Sequence, residues 1–156
     1  MQPMRSAFSH AVVAALATIA LSTSIAGHAQ TCAAPVTMSP GSILAADTCG
    51  AQNFGGGGVP NWGAVFDLSL DQPSVVTFTV SSQSFTPSVC ITAAGDCGTS
   101  TCTAQGGAIT PTGTLPPGAY WVIVAPTLLD FGGVCGTFEI GNETHAADTV
   151  LANGFD

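Results

Sequence analysis

The chain has 156 residues and a formal net charge of −8, with a single Lys or Arg against nine Asp and Glu. That one basic residue is Arg5, so nucleic acid is excluded as a partner, because phosphate binding draws its affinity from Lys and Arg. Hydrophobic residues make up 46% of the chain and charged residues 6%, which is no composition for a disordered polymer.

Residues 1–29 read as a secretory signal peptide: Arg5, an apolar run from Ala11 to Leu21, then Gly27 and Ala29 as the small residues of a cleavage site. The apolar run is shorter than the roughly 20 residues a spanning helix needs, and no second such run follows, so no transmembrane span is expected in the mature chain. Cleavage after Ala29 leaves about 127 residues, the size of one domain. His145 is then its only basic side chain, and Lys or Arg salt bridges are impossible. Burial, hydrogen bonds and disulfides must supply the stability, and an all-acidic chain attracts cations, basic polymers or neutral surfaces.

Edge strands are expected around Pro35 to Met38 and Ile43 to Ala46. The run Phe54 to Pro60, with four consecutive glycines, lacks the Lys-Ser/Thr ending of a phosphate loop and precedes a strand, so it reads as a flexible surface loop. The segment WGAVFDLSL, Trp62 to Leu70, alternates Trp62, Ala64, Phe66, Leu68 and Leu70 against Gly63, Val65, Asp67 and Ser69, the period of a half-buried strand. After a turn at Asp71, Gln72 and Pro73, SVVTFTVSS repeats the pattern with Val76, Phe78 and Val80 inward, completing a hairpin.

A third strand is expected at Ser88 to Thr92, with Cys90 facing outward. After a cysteine loop and a break at Gly106 and Gly107, LPPGAYWVIVA predicts a turn and a strand from Ala119 to Ala125, apolar on both faces as a central strand should be. The chain then loops from Pro126 to Gly133, and CGTFEI closes the sheet with Phe138 and Ile140 inward. No stretch carries convincing helical spacing outside the signal. The whole predicts an all-β fold, an antiparallel β-sandwich of jelly-roll type over residues 30–141, with a flexible tail at 142–156.

Six cysteines, all beyond the signal, suit an oxidising compartment and three structural disulfides. No His or matching Cys pair completes a zinc set, and there is no CxxC. Of the fifteen possible pairings, the inferred faces favour Cys90 with Cys135, leaving Cys97 with Cys102 across a loop and Cys32 with Cys49 at the start.

Catalytic signals are weak. The histidine sits in the expected tail, no Lys serves Schiff-base chemistry, and nothing in the sequence places two of Asp67, Asp71, Asp96, Asp130 and Glu139 in one cleft, as a carboxylate-dependent hydrolase requires. No enzyme activity is expected. Candidate binding residues are Trp62, Trp121 and Ile123. An outward Trp121 beside Ile123 would suit a neutral polymer or peptide, unless a loop such as Pro126 to Gly133 covers it. Asp47, Asp96 and Asp130, in expected loops, are candidate calcium ligands, although no spaced motif is present and no cofactor is otherwise expected. Asn142-Glu143-Thr144 is formally a glycosylation acceptor.

The order of VFDLSL, SVVTFTVSS, SFTPSVCIT, the cysteine-bracketed loop, LPPGAYWVIVA and CGTFEI resembles the bacterial pre-peptidase C-terminal domain over Thr31 to Gly141. That resemblance implies a non-catalytic β-sandwich of secreted proteins, in some members a binder of matrix polymers and in some a calcium binder. The final DTVLANGFD is similar to a short tail on assorted secreted bacterial proteins, ending here in Gly154, Phe155 and Asp156. The expectation is therefore a secreted module that binds or supports an extracellular polymer or secreted protein. The alternatives are a surface-displayed structural protein sorted through that tail, and a small carboxylate-dependent hydrolase.

Overall fold

The computed structural model describes residues 30–54, 61–97, 102–127 and 133–147. The signal segment, the glycine run, Asp130 and the Gly154-Phe155-Asp156 triplet lie outside these residues. Ten strands appear among them: β1 (Val36–Met38), β2 (Ile43–Asp47), β3 (Gln52–Asn53), β4 (Trp62–Leu70), β5 (Ser74–Ser82), β6 (Pro87–Ala93), β7 (Ala104–Gly106), β8 (Ile109–Leu115), β9 (Gly118–Pro126) and β10 (Thr137–Ala146).

They form two sheets. One runs β1-β4-β9-β6-β7, with β3 also paired to β4, and the other runs β2-β10-β5-β8. The alternation read from the sequence sets their facing surfaces. Phe66, Leu68, Val122, Val124, Val89 and Ile91 of the first sheet meet Val76, Phe78, Val80, Phe138 and Ile140 of the second in one core. Phe138 stands edge-on to both Phe66 (ring centroids 6.1 Å) and Phe85 (5.9 Å), the arrangement that the ring quadrupoles favour. Tyr120, buried at one end, donates its hydroxyl to the Pro116 carbonyl at 2.7 Å.

Strands β4, β5 and β9 are where the sequence puts them, but β4 and β5 form no hairpin. The turn at Asp71 to Pro73 carries the chain from one sheet to the other, where β4 pairs with β1, β3 and β9 and β5 with β10 and β8. Three further differences follow from tertiary context. First, β1 pairs with β4 in parallel, Val36 opposite Phe66, so the sandwich is not wholly antiparallel. Second, β3, β7 and β8 were not expected. In β8 the turn-forming Pro111 and Gly113 mask the pattern, yet an edge strand tolerates them. Its Thr112 Oγ1 accepts the Val76 N–H at 3.0 Å at a register shift in the β5–β8 pairing, and its buried Thr110 donates to the Gly107 carbonyl at 2.9 Å. Third, β10 continues to Ala146, so residues 142–146 are strand rather than tail. Its polar end is held because β5 pairs along the whole length, from Phe138 opposite Ser82 to Ala146 opposite Ser74.

All six described cysteines are in disulfides, but none of the three favoured pairings forms. The bridges are Cys32–Cys97, Cys49–Cys135 and Cys90–Cys102, with Cα separations of 6.0, 4.9 and 5.4 Å. Cys90 does face outward. Its neighbour, however, is fixed by the β6–β7 hairpin, in which the Thr103 N–H donates to the Ile91 carbonyl at 2.6 Å and so sets Cys102 beside it. Cys135 precedes β10 instead of belonging to it. The Thr48 N–H donates to the Gly136 carbonyl (3.0 Å), and the Gly136 N–H to Thr48 Oγ1 (3.0 Å), bringing Cys49 and Cys135 together. Cys97 is then left for Cys32.

Candidate binding surface

The outward side chains of the β4-β9-β6 sheet make a second, smaller apolar cluster. Val65, Cys90 and Ile123 are buried there, with Cys32, Phe54, Cys102 and Trp121 packed against them. The segment that precedes β1 closes over this face. The Gln30 carbonyl accepts the Val65 N–H at 3.3 Å, and the Cys32–Cys97 bridge anchors the segment to the turn after β6. Ile123 is therefore only 1% exposed and Trp121 half-buried. The two do point away from the main core as expected, but what they build is an internal seam and not an open patch. Trp62, also half-buried, shares the inward register of Ala64 and Phe66, so it lies on the opposite face of the sheet from Trp121 and the candidates form no common surface.

The acids are dispersed. Asp47 ends β2 and its Oδ1 accepts the Cys49 N–H at 2.7 Å. Asp96 follows β6 in the other sheet, where its N–H donates to the Ala93 carbonyl at 3.2 Å. Among the described residues no three of His, Cys, Asp and Glu gather as a metal ion needs. Asp47 ends a strand of one sheet and Asp96 follows a strand of the other, and Asp130, the third candidate ligand, lies outside the described residues. Asp67 and Glu139 are likewise carried by different sheets. Asn142 is no glycan acceptor in the folded chain: it is 4% exposed, and its Nδ2 donates to the Ser39 carbonyl at 3.0 Å.

The outer face of the other sheet is open. One row crosses all four strands: Ile43 on β2, Gly141 on β10, Thr79 on β5 and Ile109 on β8. The two isoleucines at its ends are 75% and 68% exposed, in a chain that buries nearly every other large aliphatic residue described. Gly141 makes the floor between them; a Cβ there would meet Ile43 Cγ1 at 3.4 Å. The next outward residues along β10 are Glu143 and His145, opposite Thr77 and Val75. A groove of about 420 Å³ follows, lined by Ile43, Thr79, Gly141, Glu143, Thr144 and His145 among others.

None of these groove residues was singled out as a ligand contact from the sequence. One signal was available: the inward register of Leu44 and Ala46 puts Ile43 outside. The sequence puts His145 in a flexible tail, whereas it stands on a paired strand opposite Val75. The groove combines an apolar wall, hydroxyls, one carboxylate and one imidazole, without Lys or Arg. Such a lining can hold an extended, uncharged or cationic chain.

These features define a disulfide-stapled, all-β sandwich with one sealed and one open sheet face. The fold resembles the pre-peptidase C-terminal type: the chain is similar to the crystal structure of the pre-peptidase C-terminal domain of collagenase from Bacillus anthracis, with a TM-score of 0.50 and 12% identity. The match covers 69% of this chain and 93% of that one. No family model matches the chain, and no curated protein does.

Proposed function

We propose that the protein is a secreted, non-catalytic β-sandwich module that binds or supports an extracellular polymer or a secreted protein. The observation that carries this reading is the open four-stranded face. Ile43 stands exposed beside a glycine-floored groove and Ile109 at the far edge of the same face, while the equivalent face of the other sheet is sealed by its own N-terminal segment. The two isoleucines on this one open face give a partner apolar area to cover. The likeness to a collagenase's pre-peptidase C-terminal domain supports an accessory module, as do three disulfides and a leader-like segment at residues 1–29 for an extracellular setting. No helix among the described residues is long and apolar enough to cross a membrane.

The test is a pull-down with the purified mature protein against insoluble extracellular polymers and a culture's secreted proteins. Capture that is lost in Thr79→Arg and kept in Trp121→Ala supports the reading, because Thr79 lies in the open row and Trp121 in the sealed seam. Capture of nothing by the wild type, or equal capture by Thr79→Arg, overturns it. Intact mass starting at Gln30 would establish the leader's removal.

A further inference from the structure

The groove is also a gap in the sheet. Strand β2 pairs with β10 only as far as Ile43 opposite Gly141, whereas β10 runs on to Ala146 with β5 along its other side. The Asn142 N–H still donates to the Ser42 carbonyl at 3.2 Å. Beyond it the turn Ser39 to Ser42 folds back on itself, the Ser42 N–H donating to the Ser39 carbonyl at 3.1 Å. In an antiparallel ladder the main-chain groups of alternate residues face the same neighbour. The N–H and C=O of Thr144 therefore face the side that β2 has left, while the Ala147 N–H faces the other way and donates to the Pro73 carbonyl at 2.8 Å. Continuing the β2 register puts Pro40 opposite Thr144, and proline has no N–H to offer.

Three other edge strands are blunted in ways that sheets commonly use, and β2, itself an edge of its sheet, is 5 residues long and ends in Asp47. Strands β1 and β7 have 3 residues each, and β8 carries Pro111 and a register shift. The overhang of β10 has neither device. Beside it Ile43 supplies an apolar wall and Glu143 a carboxylate, on a chain whose only Lys or Arg is Arg5 in the leader-like segment.

We propose that the overhang of β10 from Asn142 to Ala146 is a strand-addition site for an extended, cationic segment of a secreted polypeptide, which continues the line of β2. This rests on the reading of the protein as a binding module and narrows its partner. The added strand exchanges main-chain hydrogen bonds with Thr144. In that register its outward side chains stand opposite Glu143, where Lys or Arg fits with its methylene stem against Ile43, and opposite His145, where an uncharged residue fits. Charge complementarity selects a segment with its basic residue opposite Glu143, since an acidic residue there meets a carboxylate.

The probes are acetyl-Thr-Val-Thr-Lys-Thr-amide, whose Val and Lys share one face of a strand, its counterpart with Glu for Lys, and the Lys peptide N-methylated at alternate residues. Each is titrated calorimetrically into the mature protein, with cellohexaose as a neutral carbohydrate arm. The expected result is binding of the Lys peptide alone, weakened at least about tenfold by Glu143→Lys and by raised ionic strength, with amide shifts centred on Thr144. Glu143 is exposed, so that variant should fold. Equal binding of the Lys and Glu peptides, or undiminished binding of the N-methylated peptide, overturns the proposal. So does self-association of the chain through this edge with no peptide bound. Binding of cellohexaose alone overturns the strand-addition site but leaves the module reading intact, whereas a failed pull-down by the wild type removes both.

Discussion

Asn142 is the test of how the open groove is held in shape. Its side chain is 4% exposed. Oδ1 accepts the Gly41 N–H at 2.8 Å and the Thr144 hydroxyl at 3.1 Å, and Nδ2 donates to the Ser39 carbonyl at 3.0 Å. These bonds pin the turn between β1 and β2, where Gly41 has φ of 74°, to the start of the β10 overhang. Asn142→Ala removes them all and leaves the Gly41 N–H without its acceptor, while the Ser39 carbonyl keeps the Ser42 hydroxyl and N–H. At about 1 kcal/mol net per neutral bond, the two shortest and the hydroxyl bond together predict a loss of about 2–3 kcal/mol. For a domain of this size that lowers Tm by about 8–12 °C, read by circular dichroism and checked by urea denaturation. Asn142→Asp keeps the acceptor but turns a carboxylate toward the Ser39 carbonyl, so it should be no more stable than the alanine variant. Amide exchange at Gly41 and Ser42 should quicken in both variants while that of the Phe66 and Val122 amides stays slow. A Tm within about 2 °C of wild type, or unchanged exchange at Gly41, would refute the assignment.

Three further outcomes follow from the fold. Replacing Cys49 and Cys135 together by Ala opens the bridge of largest sequence separation, 86 residues, and should cost about 4–5 kcal/mol on chain-entropy grounds. Peptide mapping without reduction should recover that pair, and a Cys90–Cys135 peptide would disprove the connectivity. Tyr120→Phe loses the 2.7 Å bond to Pro116 and should cost about 1–1.5 kcal/mol in urea denaturation. Gly63→Val is expected to overpack the sealed seam, since even a Cβ there meets Phe54 at 2.8 Å and Ala125 at 3.1 Å; a loss of about 1–3 kcal/mol should come with a red shift of tryptophan fluorescence as the cover over Trp121 loosens.

Most of the sandwich was legible because burial on one face writes a period of two. Strands β4 and β5 coincide with WGAVFDLSL and SVVTFTVSS, and β9 was recognisable by apolar residues on both faces. Strand β8 was not, since Thr110 and Thr112 are buried by hydrogen bonding and not by apolarity. Nor was the far end of β10, whose polar GNETHA becomes strand because β5 offers it a full-length partner. The candidate site fared less well: Trp121 and Ile123 were correctly placed on an outward face, but no local pattern reveals that a segment ninety residues earlier closes over them.

The sequence by itself determined the all-β class, the facing sets of the core, and the oxidised state of six cysteines, because each depends on residue type and local alternation. The tertiary structure alone decided which cysteines meet, which sheet face is covered, and that β2 stops short of β10. Those depend on contacts across separations of 65, 86 and about 100 residues, where register and chain path, rather than the identity of any one residue, set what lies beside what.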